Sequence, residues 1–102
     1  MTRDEHLMVI AMEECHEVAQ RLSKALRFGM EEVQPGQHMT NRERVTVEVA
    51  DLRAMFDMLG IDDDSPFVHR LALEKRAKVE HFLNYSAECG TLAGDPAPTG
   101  KE

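Results

Sequence analysis

The chain has 102 residues, of which 42% are hydrophobic, so it has room for one domain with a small core. Its 12 basic and 19 acidic residues give a formal net charge of −7, which disfavours sequence-independent binding to nucleic acid because a phosphate backbone is bound by Lys and Arg. No run free of charge and histidine exceeds six residues, so we expect no membrane partner, and two cysteines without a CxxC motif favour a reducing, cytoplasmic setting.

The apolar pattern predicts three helices, and no strand pattern competes with it. The first helix covers residues 4–28 and stops before Gly29, because glycine adopts the left-handed conformation at low cost. Residues 30–39, which contain the turn signal Pro35-Gly36, form the loop that follows.

Capping signals delimit the second and third helices. Thr40 and Glu43 form a capping box at the start of the second helix. After a polar linker at residues 62–64, Ser65 is the N-cap of the third helix and Pro66 its first residue. The two helices are expected to end near residues 59 and 86.

These elements predict an all-α fold, an antiparallel helical bundle with three main helices in each chain. The domain is expected to cover residues 1–88. Residues 89–102 are expected to be a disordered C-terminal tail, because they are rich in glycine and proline.

Acidic side chains of the first helix lie where its pattern requires apolar ones. On a helical wheel the apolar arc is formed by Leu7, Ile10, Ala11, Val18 and Leu22. Glu14 falls inside this arc and Glu17 falls on its edge, whereas Glu13 lies further round the helix. Burying an ionised carboxylate costs several kcal/mol unless it is paired or binds a metal, so these positions need an explanation.

The second helix repeats the anomaly at the same spacing. Its apolar arc is formed by Val45, Val49, Leu52, Phe56 and Leu59, with Glu48 on the edge and Asp51 further round. Two acidic pairs at i, i+3 would supply the oxygen ligands that Mg²⁺ or Mn²⁺ prefers. The alternative is that packing rotates the helices, so that the acids reach water or pair with Arg21 and Arg44.

The acidic residues of the first two helices lie in patterns that resemble the motifs of a known family. Residues 13–17, EECHE, match the EExxE motif, and residues 48–51, EVAD, match the ExxD motif of the MazG-like, all-alpha NTP pyrophosphatase superfamily. The resemblance covers residues 6–60 and, more loosely, the third helix. Residues 23–29 and 78–82 are similar to segments of small phage-encoded members, in which case the setting would be a host cytoplasm.

The resemblance implies that an NTP or dNTP is hydrolysed to a monophosphate and pyrophosphate. Glu14, Glu17, Glu48 and Asp51 would hold the catalytic Mg²⁺ or Mn²⁺, with two or more ions per site when substrate is bound. Glu13 would bind a further ion or orient the attacking water. Selectivity for a purine nucleotide such as dGTP or GTP is a narrower hypothesis, and phosphoribosyl-ATP pyrophosphatase, with the same fold and acidic motifs, is an alternative.

Basic side chains are candidates for binding the substrate's phosphates. Lys75 and Lys78 fall within the apolar arc of the third helix, where they either extend along the edge of the core or meet the β- and γ-phosphates. Lys24 and Arg27 are further candidates, for which ordinary surface charge is the alternative. In the family's pattern Asn41 would contact the nucleotide, although turn chemistry explains this residue equally well.

Both acidic helices carry a second apolar stripe that three short helices cannot cover. The stripes consist of Met8, Met12, Ala19 and Leu26 on the first helix and Val47, Ala50, Ala54 and Met58 on the second. We therefore expect a homo-oligomer, and the resemblance implies a homodimer or homotetramer whose chains together close the nucleotide pocket. A non-catalytic, metal-binding helical interaction module is the alternative from another functional class.

Overall fold

The computed structural model describes residues 1–61 and 64–93. Within these residues the protein is all-helical, as predicted, with α1 at Arg3–Phe28, α2 at Asn41–Met58 and α3 at Pro66–Cys89. The only extended pairing in this part of the chain is an isolated antiparallel bridge between Val33 and Thr40. Most of the predicted linker and most of the predicted disordered tail lie outside the described residues.

Local sequence signals set the helix ends. Thr40 and Glu43 form the predicted capping box, with the Glu43 backbone N–H donating to Thr40 Oγ1 at 3.1 Å and the Thr40 backbone N–H donating to Glu43 Oε1 at 2.8 Å. The predicted cap of α3 is also present, since Ser65 Oγ accepts from the Val68 backbone N–H at 3.2 Å. A second capping box, formed by Thr2 and Glu5 at the start of α1, was not predicted.

The third helix is longer than the sequence predicted. It continues to Cys89, three residues beyond the expected end, because no glycine or proline interrupts residues 87–89. Gly90 then ends the helix in the left-handed conformation, with φ of 81° and ψ of 15°. The predicted domain boundary at residue 88 therefore falls inside α3.

The connection between α1 and α2 is held by Asn41, whose side chain is only 3% exposed. Its Nδ2 donates to the Gly29 carbonyl at 2.8 Å and to Glu32 Oε1 at 2.9 Å. Its backbone N–H donates to the Glu32 carbonyl at 3.0 Å. Gly29, at φ of 105°, turns the chain away from α1 in a conformation that other residues rarely adopt. Asn41 therefore ties the end of α1 and the following loop to the first residue of α2.

The core between α1 and α2 is small. Leu7 and Ala11 of α1 and Met55 of α2 form a buried cluster, with Leu59 packed against it. Leu7 and Ala11 confirm the predicted apolar arc of the first helix, but Ile10 and Leu22 are 39% and 49% exposed. The predicted arc was too wide, because in this unit α1 packs against a single helix and only a narrow stripe of its surface is covered.

The chain divides into two compact units, one at residues 1–63 and the other from residue 64 onwards. The first unit contains α1 and α2, and the second contains α3. At the start of the second unit His69 Nε2 lies 3.2 Å from Asp64 Oδ1. Among the described residues, none of the helices has the length and apolar character needed to cross a membrane.

Candidate metal centre

Three of the predicted metal ligands converge between α1 and α2. Glu14 comes from the middle of α1, and Glu48 and Asp51 come from successive turns of α2. One carboxylate oxygen from each residue lies within 4.8 Å of the other two. The i, i+3 spacing places Glu48 and Asp51 on one side of α2, and the packing of α1 on α2 brings Glu14 to them.

The spacing of these oxygens fits a shared divalent cation. Oxygen ligands lie about 2.0–2.6 Å from Mg²⁺ or Ca²⁺, so two oxygens on one ion are separated by at most about 4–5 Å. The 4.8 Å within which the three oxygens lie meets the limit for a larger ion such as Ca²⁺, whereas Mg²⁺, with its ligands at about 2.0–2.1 Å, requires the oxygens to approach one another to about 4.2 Å or less. Carboxylates are hard ligands, which favours Mg²⁺ or Mn²⁺ over the softer metals that select thiolate and imidazole.

The electrostatics of the cluster are unfavourable without a cation. The pKa of the Glu14 carboxyl lies above its usual range, firstly because of partial burial and then because of the negative charges of Asp51, Glu48, Glu17 and Glu13, in that order. Glu14 and Glu48 are half-buried, whereas Asp51 is exposed. A divalent ion would remove the repulsion that raises this pKa, so the same geometry that makes the acids costly also makes them suitable ligands.

Glu13 and Glu17 lie beside the group of three rather than inside it. Both are exposed, and both line an open depression of about 610 Å³ along α1. The residues lining this depression are Val9, Met12, Glu13, Glu14, His16 and Glu17. The sequence does not single out Val9 and Met12 as neighbours of the site, although Val9 precedes Glu13 by four residues, a spacing at which side chains are neighbours on a helix. Glu17 remains a predicted ligand.

The guanidinium group of Arg21, on α1, lies close to the acidic group. Arg21 Nε lies 3.9 Å from Glu48 Oε2, and both side chains are largely buried, at 20% and 18% exposed. This contact is the pairing with Arg21 that the sequence left open as an alternative. Arg44, the other arginine considered there, instead donates from Nη1 to Gln34 Oε1 at 2.6 Å.

The predicted phosphate-binding residues are distributed over both units. Lys24 is half-buried, and the Arg27 guanidinium lies 4.9 Å from the centre of the Phe28 ring, where a cation–π contact holds it. Lys75 and Lys78 are exposed on α3 in the second unit. The phosphate-binding roles of these four residues remain predictions.

Asn41, the predicted nucleotide contact, is structural in the described protein. Both hydrogens of its side-chain amide are used, by Gly29 and by Glu32. Turn chemistry, which the sequence allowed equally, therefore accounts for the residue, and a contact with nucleotide remains a prediction.

Comparisons of the chain with protein-family models, with curated proteins and with solved structures gave no match. The geometry of the acidic residues and the EExxE and ExxD patterns are therefore what supports a function.

Proposed function

We propose that the protein is a Mg²⁺-dependent nucleoside triphosphate pyrophosphohydrolase that converts an NTP or dNTP to the monophosphate and pyrophosphate. The observation that carries the proposal is the convergence of Glu14, Glu48 and Asp51, whose oxygens lie within 4.8 Å of one another. These acids belong to the EExxE and ExxD motifs of the MazG-like superfamily, in which both motifs bind the catalytic metal. Motif and geometry thus support the same ligands.

The chain's own residues account for the main requirements of this reaction. Glu14, Glu48 and Asp51 hold a divalent ion, with Glu17 as a further ligand from the next turn of α1. When bound, Mg²⁺ or Mn²⁺, with two or more ions per site in the presence of substrate, neutralises phosphate charge and lowers the pKa of a coordinated water. Glu13, exposed beside the cluster, orients the attacking water or binds a further ion.

The finer parts of the proposal concern binding of the substrate. Lys75, Lys78, Lys24 and Arg27 contact its phosphates, Asn41 contacts the nucleotide, and purine nucleotides are preferred. These assignments come from the family resemblance and from the charge of the side chains. Each one can fail without affecting the metal ligands.

The bundle is proposed to be antiparallel and to be completed by a homodimer or homotetramer. The second apolar stripes of α1 and α2 support this, because their large side chains remain exposed in the single chain. Leu26 is 87% exposed, Met12 63% and Met58 50%. Apolar surface of this kind is usually covered by another chain.

The test is to incubate the protein with each NTP and dNTP, and with phosphoribosyl-ATP, in the presence of Mg²⁺ or Mn²⁺, and to separate the products. The proposal requires a nucleoside monophosphate and pyrophosphate, and chelation of the metal should abolish both. Release of orthophosphate, or no turnover of any nucleotide, would overturn it. Turnover of phosphoribosyl-ATP alone would identify the alternative pyrophosphatase.

Variants connect turnover to the acidic cluster. Asp51→Asn removes one charge from the proposed site and should reduce kcat by at least 100-fold, the scale on which metal-assisted catalysis depends on its ligands. Asp57→Asn removes the same charge from an exposed position of α2 and should leave kcat unchanged. Equal activity of the two variants would show that the acidic cluster is not the active site.

The exposed stripes also favour a second candidate, a metal-binding helical interaction module without turnover. The two functions differ in what Asp51→Asn changes. In an interaction module the variant alters the oligomeric state, measured by light scattering, and there is no hydrolysis to lose. In the enzyme it abolishes hydrolysis and leaves the oligomer intact.

A further inference from the structure

The contact between Arg21 and Glu48 connects the two helices beside the acidic group. Arg21 lies two turns after Glu14 on α1, and Glu48 lies on α2. The 3.9 Å between Arg21 Nε and Glu48 Oε2 is an ion-pair distance, longer than a hydrogen bond. Arg21 Nη1 is buried, and within the part of the chain that the structure describes it has no hydrogen-bond partner. The guanidinium is therefore held by charge and not by a full set of hydrogen bonds.

A divalent metal ion would displace this contact, because its larger charge attracts a carboxylate more strongly than a guanidinium does. Glu48 is one of the three carboxylates whose oxygens fit a shared divalent ion. A metal ion bound by Glu48 would lie within several ångströms of the guanidinium, and like charges at that distance repel each other strongly in a partly buried site. Arg21 and a metal ion would thus compete for the same carboxylate.

We propose that Arg21 is a positioning residue that holds Glu48 and α2 in place when no metal is bound, and that it competes with the metal for the Glu48 carboxylate. The inference rests on the proposed metal site. In this arrangement the Arg21 guanidinium stabilises the carboxylates when no metal is bound. A metal ion therefore binds more weakly than it would to the same carboxylates without Arg21.

Replacement of Arg21 by glutamine should therefore change two quantities in opposite directions. Without metal, Arg21→Gln leaves the carboxylates uncompensated and should lower Tm by several degrees. With metal, the competing charge is gone, so Kd for Mn²⁺ should fall about tenfold, a change typical of removing one charge near a partly buried site. A merely structural role would lower Tm with and without metal alike and would leave Kd unchanged or raise it.

The experiment measures Kd for Mn²⁺ by electron paramagnetic resonance, and Tm in EDTA and in saturating Mn²⁺, for the full-length wild type and its variants. Arg42→Gln is the matched control, because it removes the same guanidinium from an exposed ion pair with Glu31, where Nε and Oε2 are 2.7 Å apart. This control should leave Kd for Mn²⁺ unchanged. If Arg21→Gln does not fold in EDTA, Arg21→Lys replaces it, and its shorter side chain should lower Kd about threefold.

The outcomes separate this inference from the proposed function. A wild type that binds Mn²⁺ and hydrolyses nucleotide, together with an Arg21→Gln variant whose Kd is unchanged or higher, overturns the role of Arg21 alone. A wild type that does not bind Mn²⁺ overturns the metal site, and the role of Arg21 with it. Tighter Mn²⁺ binding by Arg21→Gln, with lower stability in EDTA, supports the proposal whether or not a nucleotide is turned over.

Discussion

Replacement of Asn41, the first residue of α2, by alanine should destabilise the first unit, because its side chain ties the loop between α1 and α2 to α2. The side chain is 3% exposed and makes two hydrogen bonds, to the Gly29 carbonyl and to Glu32 Oε1. A hydrogen bond to a neutral acceptor contributes about 0.5–1.5 kcal/mol, and one to a charged acceptor about 1.5–3 kcal/mol. The Gly29 carbonyl keeps a weaker bond from the Glu32 backbone N–H at 3.3 Å, so the loss should fall in the lower part of the sum.

We therefore expect Asn41→Ala to lower the free energy of unfolding by about 2–3 kcal/mol. The measurement is urea unfolding followed by circular dichroism at a fixed protein concentration, because stability depends on concentration if the protein assembles. Asn41→Asp provides a second test: it would place a carboxylate against that of Glu32, and should destabilise the protein at least as much at neutral pH. The loss should become smaller as the pH falls.

Gln37→Ala is the matched control, because Gln37 is an exposed amide side chain in the same loop. Its unfolding free energy should stay within about 0.5 kcal/mol of the wild type. A loss below about 0.5 kcal/mol for Asn41→Ala would refute the conclusion that this amide ties the loop to α2. The variant also tests nucleotide contact, since a raised KM in folded protein would show a role beyond stability.

Variants at three further positions test the cluster, the core and the cap. The raised pKa of Glu14 means that the folded protein binds this proton more tightly than the unfolded chain does. In EDTA, the Tm of the wild type should therefore fall as the pH rises from the ordinary glutamate pKa through the raised one. Glu14→Gln should remove this fall, and an unchanged pH profile of Tm in the variant would contradict the prediction. Met55→Ala should cost about 2–3 kcal/mol in urea unfolding, because it opens a cavity beside Leu7, and a loss under about 1 kcal/mol would mean that the cluster is not the core. Thr40→Ala should cost about 1 kcal/mol by removing the capping box, whereas Thr40→Ser should retain most of the stability.

The helices could be predicted because their ends are set by local chemistry. The capping box at Thr40 and the N-cap at Ser65 involve residues only three positions apart in the sequence, so no tertiary information is needed to identify them. The box formed by Thr2 and Glu5 follows the same rule, so the sequence alone also allows it to be predicted. The predicted end of α3, near residue 86, is too early. Residues 87–89 contain no stop signal, so the helix continues until Gly90.

The candidate site could be predicted only in part, because its assembly depends on how α1 packs against α2. Motif spacing identified the acidic residues, but it could not show that Glu14, Glu48 and Asp51 form a group from which Glu17 is separate. Burial of Met55 was missed for the same reason: a helical wheel gives directions around one helix and not the position of its neighbour. The sequence offers Arg21 and Arg44 as alternative partners of the acids, and only packing distinguishes them.

The position of the acidic group between two helices links ligand binding to folding. The buried apolar cluster at this packing surface is small and consists of Leu7, Ala11 and Met55. The repulsion among a few uncompensated charges therefore offsets a large part of the stability that this cluster contributes. A cation at the group would reverse that balance, because it would bridge acids contributed by both helices. Arg21 supplies part of this compensation from within the chain. Two helices that pack weakly around their own carboxylates would thus depend on cations, and under the proposed function the same dependence would make the site responsive to a metal ion and to a metal-bound triphosphate.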